Sequence, residues 1–164
     1  MFSRDKNKQN EELIEQIICE KYNNYYRMAY SHVKNPEDAE DIVQEGAYKA
    51  IKNCNSLRNP EYASTWVYRI MMNEIFRFMG NRKVIVLGED EIPEIPFEDT
   101  YRDLDLKYAL EHMNIKDRTV IELKYFEDMK LEEIAQVLDE NVNTVKSRLY
   151  RGLKKLKLEF HAEK

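Results

Sequence analysis

The sequence has few of the residues that build tight turns, metal centres or membrane spans. Its 164 residues include only four glycines and four prolines, which argues against a turn-rich all-β fold. Two cysteines and three histidines are scattered along the chain, so no metal site, cofactor site or nucleophile–base pair is indicated. No stretch approaches the roughly 18 apolar residues of a membrane span, and the N-terminus lacks the apolar segment of a signal peptide. We therefore expect a cytoplasmic protein with no membrane span of its own.

What the sequence does contain is helical periodicity, with apolar residues recurring at steps of three and four. Hydrophobic residues make up 43% of the chain and charged residues 35%, which is enough apolar material for small helical cores. The predicted fold class is all-α. The predicted helices cover residues 11–33, 36–53, 66–80, 101–113, 117–127, 131–138 and 143–160.

An acidic segment separates the helical patterns into two groups. Residues 84–100 carry six acidic side chains and no basic one, and Pro93 and Pro96 prevent a continuous helix. A short strand in VIVL, at 84–87, is the alternative. The sequence thus predicts two small helical domains, at 10–83 and 101–160, joined by an extended acidic linker at 84–100.

The most specific local motif is LEEIAQVLDENVNTVKSRLYRGLKKLK, residues 131–157. A short helix with the small Ala135 facing inward is followed by a polar turn and a longer basic helix, which Asn141 or Asn143 would cap. Asp139 lies in the turn, where aspartate tolerates a left-handed backbone better than most residues do. This layout is typical of a helix-turn-helix, whose second helix enters the major groove of DNA.

The second helix of this motif has two different faces. Val145, Leu149, Leu153, Leu156 and Phe160 form a narrow apolar stripe, whereas residues 144–157 carry six basic side chains and no acidic one. Phosphate neutralisation needs such a local surplus, although a solvated basic face is the plainer interpretation of a charge run alone. The candidate DNA contacts are Asn143, Thr144, Lys146, Ser147, Arg148, Arg151, Lys154 and Lys155.

A second charged pattern lies on the helix predicted at 36–53. Asp38, Asp41 and Glu45 follow one another at helical spacing and form one acidic edge. Such an edge is compatible with a metal-dependent nuclease, with a simple solvated surface, or with docking of a basic partner. No histidine or nucleophile accompanies the carboxylates, which disfavours the nuclease.

Three strings in the same order make the chain resemble a known family. They are NPEDAEDIVQEGAYKAIKN at 35–53, STWVYRIMMNE at 64–74, and the segment from LKYFEDMK at 123–130 through the helix-turn-helix. Over residues 20–160 the chain resembles the extracytoplasmic-function sigma factors of bacterial RNA polymerase. The resemblance implies that 10–83 is sigma region two and 101–160 is sigma region four, and that the chain is not an enzyme.

The same resemblance implies partners and contacts. Asp38, Asp41, Gln44 and Glu45 would bind core RNA polymerase, the helix-turn-helix would bind the minus-35 element of promoter DNA, and an anti-sigma factor would hold the protein inactive. Arg77 stands where the family often has aspartate, which puts the usual local contacts there in doubt. Trp66 is aromatic and suits base stacking, but core packing is the favoured interpretation for it. The implied minus-ten contacts are Tyr62, Trp66, Asn73, Arg77, Arg82 and Lys83.

The overall charge bears on how such a protein binds DNA. Its formal net charge of −5 predicts weak binding to DNA by the chain alone. Polymerase that holds both halves on one duplex would raise their effective concentration and supply the missing affinity. A stand-alone helix-turn-helix repressor or activator is the alternative, and it would require neither the acidic edge nor the linker.

Overall fold

A computed structural model describes residues 2–81 and 108–162, with side chains described within 4–80 and 108–157. The chain divides into two compact units, Met1–Asp90 (unit 1) and Glu91–Lys164 (unit 2). Throughout the described residues the regular structure is helical, without a strand, which confirms the predicted all-α class. No described helix combines the length and apolar content needed to cross a membrane. The predicted linker, 84–100, lies outside the described residues.

Between residues 2 and 81, unit 1 contains three packed helices: α1 (Phe2–Val33), α2 (Pro36–Lys52) and α3 (Ala63–Asn81). Two 3-10 turns, Cys54–Ser56 and Pro60–Tyr62, connect α2 to α3. Both α1 and α3 begin before the predicted residues 11 and 66, because their first turns are mostly polar and carry no apolar periodicity.

The break between α1 and α2 follows from local chemistry. Lys34 adopts a left-handed backbone with φ 57°, and Asn35 is extended. The Asn35 side chain accepts a hydrogen bond from the Asp38 backbone N–H at 3.0 Å, and Pro36 occupies the first helical turn, where its missing N–H costs nothing. This boundary is the one that the Asn-Pro pair predicts.

The core of unit 1 lies where the three helices meet. The rings of Tyr25 and Tyr68 pack edge to face with centroids 5.1 Å apart. Gly46 allows α2 to approach α3 closely, because a Cβ there would lie 2.5 Å from the Met71 sulfur. The largest fully buried side chains in this unit are Ile14, Tyr25, Val43, Val67, Tyr68, Met71, Met72 and Ile75.

Unit 2 starts, within the described residues, with a helical segment at 108–111. The helices that follow are α4 (Ile115–Ile121), which continues as a π-helical turn (Glu122–Phe126), α5 (Leu131–Leu138) and α6 (Val142–Ala162). The bounds of α5 are the predicted ones.

Glycine again permits a close contact between helices in unit 2. A Cβ at Gly152 would lie 2.5 Å from Ile121 Cδ1 and 3.2 Å from Met113 Sδ, so glycine lets α6 approach α4. The side chains of Val120, Leu123, Ile134, Val137 and Val145 are almost fully buried in the same core. The core therefore fixes one face of α6 and leaves the opposite face outward.

Candidate nucleic-acid interface

The turn between α5 and α6 has the backbone geometry that a helix-turn-helix needs. Asp139 ends α5 in a left-handed conformation with φ 53°, as its position in the motif predicts. The Glu140 N–H then donates to the Ala135 carbonyl at 2.9 Å, which satisfies one of the last carbonyls of α5. Asn141 caps α6, because its Oδ1 accepts from the Asn143 N–H at 2.8 Å. The structure thus selects Asn141 from the two predicted caps.

Residues on α6 separate into the two faces predicted. Val145, Leu149 and Leu156 are buried, and Leu153 is half-buried. Phe160, the last residue of the predicted stripe, is not among the residues whose side chains the structure describes. Seven predicted DNA contacts are exposed: Asn143, Thr144, Lys146, Ser147, Arg151, Lys154 and Lys155. The eighth, Arg148, is less accessible than these seven, because only 16% of its side chain is exposed.

Arg151 is exposed but held in place by a buried carboxylate. Its Nε donates to Asp117 Oδ2 at 2.8 Å and its Nη2 donates to Oδ1 at 3.0 Å. The Asp117 side chain is 6% exposed, whereas that of Arg151 is 64% exposed. The hydrogen bonds and charge of Asp117 raise the pKa of Arg151 above its ordinary value. Arg151 is therefore an oriented, permanently charged group at the surface of α6.

Arg148 lies between two carboxylates of its own unit. Its Nε donates to Glu140 Oε2 at 3.0 Å, and its Nη1 is 3.6 Å from Asp117 Oδ1. A third predicted contact, Lys155, donates from Nζ to the carbonyl of His112 at 3.1 Å. Part of the basic surplus on α6 is thus compensated within the unit, and Arg148 stabilises the turn that connects α5 to α6.

The acidic edge of unit 1 is on the outer surface of α2. Asp41, Gln44 and Glu45 are exposed there, whereas Asp38 is half-buried at the start of the helix. Tyr48, not among the residues predicted from the sequence, continues the row one turn beyond Gln44, with 59% of it exposed. The structure therefore brings the predicted docking residues onto one face, next to an aromatic side chain.

Most of the predicted minus-ten contacts share one face of α3 and of the turn before it. Tyr62 is 53% exposed, Asn73 and Arg77 are exposed, and Trp66 is half-buried. Arg69, not among the predicted contacts, is exposed between Trp66 and Asn73 at the same helical spacing, and that spacing would have found it. Arg82 and Lys83 lie outside the described residues.

A carboxylate on α3 connects this face to α2. Glu74, whose side chain is 11% exposed, forms an ion pair with Lys49 and lies 3.9 Å from Arg77 Nη1. Arg77 thus has an acidic neighbour on its own helix, at i−3.

Comparison with known protein families decides what this pair of units is. Residues 20–84 match the family model described as sigma-70 region 2, and residues 103–156 match sigma-70 region 4. The chain is 42% identical to the RNA polymerase sigma factor SigV of Bacillus subtilis, over 92% of this chain and 93% of that protein. The chain belongs to the sigma-70 family of RNA polymerase sigma factors.

Further relatives agree with this assignment. The sigma factor is also 30% identical to the extracytoplasmic-function sigma factor SigW of Bacillus subtilis, over 80% of each chain. The solved structure of the sigma factor RpoE of Bartonella quintana, in complex with the anti-sigma factor NepR, has the same fold, with a TM-score of 0.73 and 24% identity over 92% of this chain and 98% of that one. The predicted resemblance to extracytoplasmic-function sigma factors is thereby confirmed.

Proposed function

We propose that this sigma factor directs core RNA polymerase to promoters by three separate surfaces. The acidic face of α2 binds the polymerase, the outer face of α3 binds the opened minus-ten element, and the exposed face of α6 binds the minus-35 element. The observation that carries the proposal is the separation of charge, with carboxylates exposed along α2 and basic side chains exposed along α6. We assign region two to 10–83, the linker to 84–100 and region four to 101–160.

The surface of α2 suits a basic protein partner. Asp41 and Glu45 supply exposed carboxylates that steer a basic surface towards the helix, and Gln44 and Tyr48 supply contact area beside them. The Gln44 side chain donates to Glu40 at 3.3 Å, which fixes it along the same face. The partner is the largest subunit of core polymerase, which sigma region two binds in the family that the chain resembles.

The surface of α3 suits unpaired bases. Aromatic stacking contributes about 1–3 kcal/mol per base, comparable with the few kcal/mol that extruding a base costs. Tyr62 presents an exposed ring just before the helix, and Trp66, one turn further on, is half-buried. Arg69 and Arg77 add positive charge along the same row, where single-stranded phosphates would run. No covalent chemistry is required of this chain, because strand opening uses binding energy alone.

Regulation by a protein partner is part of the proposal. One solved structure with this fold contains an anti-sigma factor, NepR on RpoE, and a second contains CnrH in complex with the cytosolic domain of CnrY, the latter with a TM-score of 0.69 and 20% identity. We assign the same kind of partner to this chain. Its place of action is the cytoplasm, where polymerase transcribes DNA.

The central test is transcription with purified components. Core polymerase plus the full chain should start transcripts at a limited set of sites in a genomic run-off library, and the chain alone should bind the same fragments weakly. A core enzyme whose start sites do not change on addition of the chain would refute the function. Binding of a palindromic fragment by the chain alone, as tightly as by the holoenzyme, would favour the stand-alone regulator.

Charge reversal tests the docking surface separately. Asp41→Lys should weaken pull-down of core polymerase about tenfold or more, because like charges across an interface repel. Glu15→Lys on α1 makes the same change at another exposed position and is the matched control. Equal loss of binding in both variants would show that net charge, and not the α2 face, determines docking.

A further inference from the structure

A cation on the predicted DNA-binding face of α6, Arg151, is paired with a carboxylate that belongs to another helix. Asp117 is in the first turn of α4, and 34 residues separate it from Arg151 on α6. Its side chain is 6% exposed, so this carboxylate is buried directly beneath the predicted DNA-binding face. Burial of a carboxylate is costly unless cationic partners compensate it, and Asp117 has two, Arg148 and Arg151.

The geometry of the Asp117–Arg151 pair determines which donors remain available. A guanidinium has five N–H donors, and Asp117 engages one on Nε and one on Nη2. Three donors therefore remain, two on Nη1 and one on Nη2. They form the end of the planar fork, the part that donates to guanine O6 and N7 or to a phosphate. Since 64% of the Arg151 side chain is exposed, this end is accessible.

Orientation by Asp117 also reduces the entropic cost of binding. An unpaired arginine on a helix surface samples many rotamers and loses that freedom when it binds DNA. The two-point contact with Asp117 fixes the plane of the guanidinium before DNA arrives. Arg148 reinforces the arrangement, because its Nη1 lies 3.6 Å from Asp117 Oδ1 while its Nε donates to Glu140 at the end of the turn.

We propose that Asp117 is a positioning residue for minus-35 recognition, which orients Arg151 for its contact with promoter DNA. The inference rests on the proposed function of α6 and adds a specificity-determining residue that does not itself touch DNA. Asp117 raises sequence discrimination even though its negative charge lowers the attraction of α6 for any DNA.

This role predicts effects of opposite sign on two kinds of DNA. If Asp117 contributed only its charge, Asp117→Asn would strengthen binding to every sequence. As a positioning residue, its replacement should weaken binding to the cognate minus-35 element while binding to a scrambled element stays unchanged or becomes tighter. The ratio of the two dissociation constants therefore separates the two roles, and a merely structural defect would lower both affinities.

The experiment uses holoenzyme assembled from core polymerase and the full chain. The probes are the strongest promoter fragment from the run-off library and the same fragment with its minus-35 element scrambled, measured by fluorescence anisotropy at one fixed salt concentration. We expect Asp117→Asn to lower the cognate preference by at least about fivefold. Glu132→Gln on α5 removes the same charge at an exposed position and should leave the preference unchanged.

A double substitution tests whether Asp117 acts through Arg151. Arg151→Lys keeps the charge but removes the planar fork, so it should lower the preference by a similar factor. Adding Asp117→Asn to this variant should then produce no further loss of preference. Arg151→Lys also remains informative if Asp117→Asn reduces the melting temperature of the chain, because it leaves the buried carboxylate in place.

Each outcome bears on a different claim. Wild-type holoenzyme that does not discriminate between the two fragments would overturn the proposed role of α6 itself. Discrimination by wild type that Asp117→Asn leaves unchanged, or that falls further in the double variant by the full single-variant factor, would overturn the positioning role alone.

Discussion

Asn10 attaches the segment between α2 and α3 to α1, and its truncation should loosen that segment. The Asn10 side chain is buried, and its Nδ2 donates to the carbonyls of Cys54 and Leu57, each at 3.1 Å. These two bonds hold the first 3-10 turn and Leu57 just after it, ahead of Tyr62 and the predicted minus-ten face. In Asn10→Ala the Leu57 carbonyl loses this donor, whereas the Cys54 carbonyl still accepts from the Leu57 N–H at 3.2 Å.

The cost follows from the burial of the two carbonyls. A buried polar group left without its partner costs about 1–3 kcal/mol. Leu57 is 3% exposed and should incur this full cost, whereas the half-buried Cys54 keeps the Leu57 N–H as a donor and should lose little. We therefore expect Asn10→Ala to lower the free energy of unfolding of unit 1 by about 1–3 kcal/mol.

The sequence offers two readouts, the fluorescence of a tryptophan and the alkylation of cysteines. Trp66 is the only tryptophan in the chain, so its fluorescence during denaturant unfolding reports on unit 1. The two free cysteines allow a local measurement: Cys19 is exposed on α1, and the half-buried Cys54 lies within the anchored segment. A loss of 2 kcal/mol corresponds to about 30-fold more frequent opening, so alkylation of Cys54 should accelerate towards that factor relative to Cys19.

Lys8→Ala is the matched control, because Lys8 is exposed on α1 two residues before Asn10. It should change neither readout measurably. An Asn10→Ala variant with the unfolding midpoint and the Cys54 alkylation rate of the wild type would refute this anchoring role of Asn10. Because Cys19 is already exposed, its alkylation needs no opening, and equal acceleration at Cys19 and Cys54 would show that the faster reaction does not come from release of the anchored segment.

Three further substitutions test other features of the fold. Asp139→Val should lower the free energy of unfolding by about 1–2 kcal/mol while Asp139→Gly does not, because Asp139 has φ 53°; thermal melts followed by circular dichroism measure both. Gly152→Val should cost about 1–3 kcal/mol in the same assay, since its Cβ would crowd the Ile121 side chain. Burial, with a contribution from Glu40, raises the pKa of Tyr22, so folding favours the neutral phenol. The resulting stability is present below the ordinary pKa of 10.0 and is lost as pH rises through the raised value, so Tyr22→Phe should reduce alkaline destabilisation in pH-dependent melts.

The helices that bury a regular apolar stripe are the ones that the sequence predicts well. Periodicity defines α2 and α5 to within one residue, because each buries one face against its unit. The first turns of α1 offer no such signal: Asn10 is the buried residue there, and it is polar. The π-helical turn at Glu122–Phe126 is likewise invisible to periodicity, which shows only that the segment is helical.

The same distinction applies to the charged surfaces. Features that depend on position within one helix can be predicted from the sequence, whereas ion pairs between residues far apart in the sequence cannot. Exposure of Asp41, Lys146 or Lys154 follows from helical position alone, and the structure agrees with it. The partners of Arg151 and Arg148 cannot be derived from residues 144–157, because their carboxylates come from α4 and from the turn before α6. A count of charges along one helix therefore overestimates the uncompensated positive charge that faces DNA.

This internal compensation relates the charge of unit 2 to its function. Two of the six cations on residues 144–157 form ion pairs with carboxylates of the same unit, so they contribute less to indiscriminate attraction than unpaired cations would. Non-specific binding depends mainly on the number of phosphates neutralised, whereas discrimination depends on the placement of donors. We infer that such pairing favours the correct placement of hydrogen-bond donors at the expense of general attraction to DNA. The affinity that is lost would then be supplied by polymerase, which holds region two and region four on the same promoter.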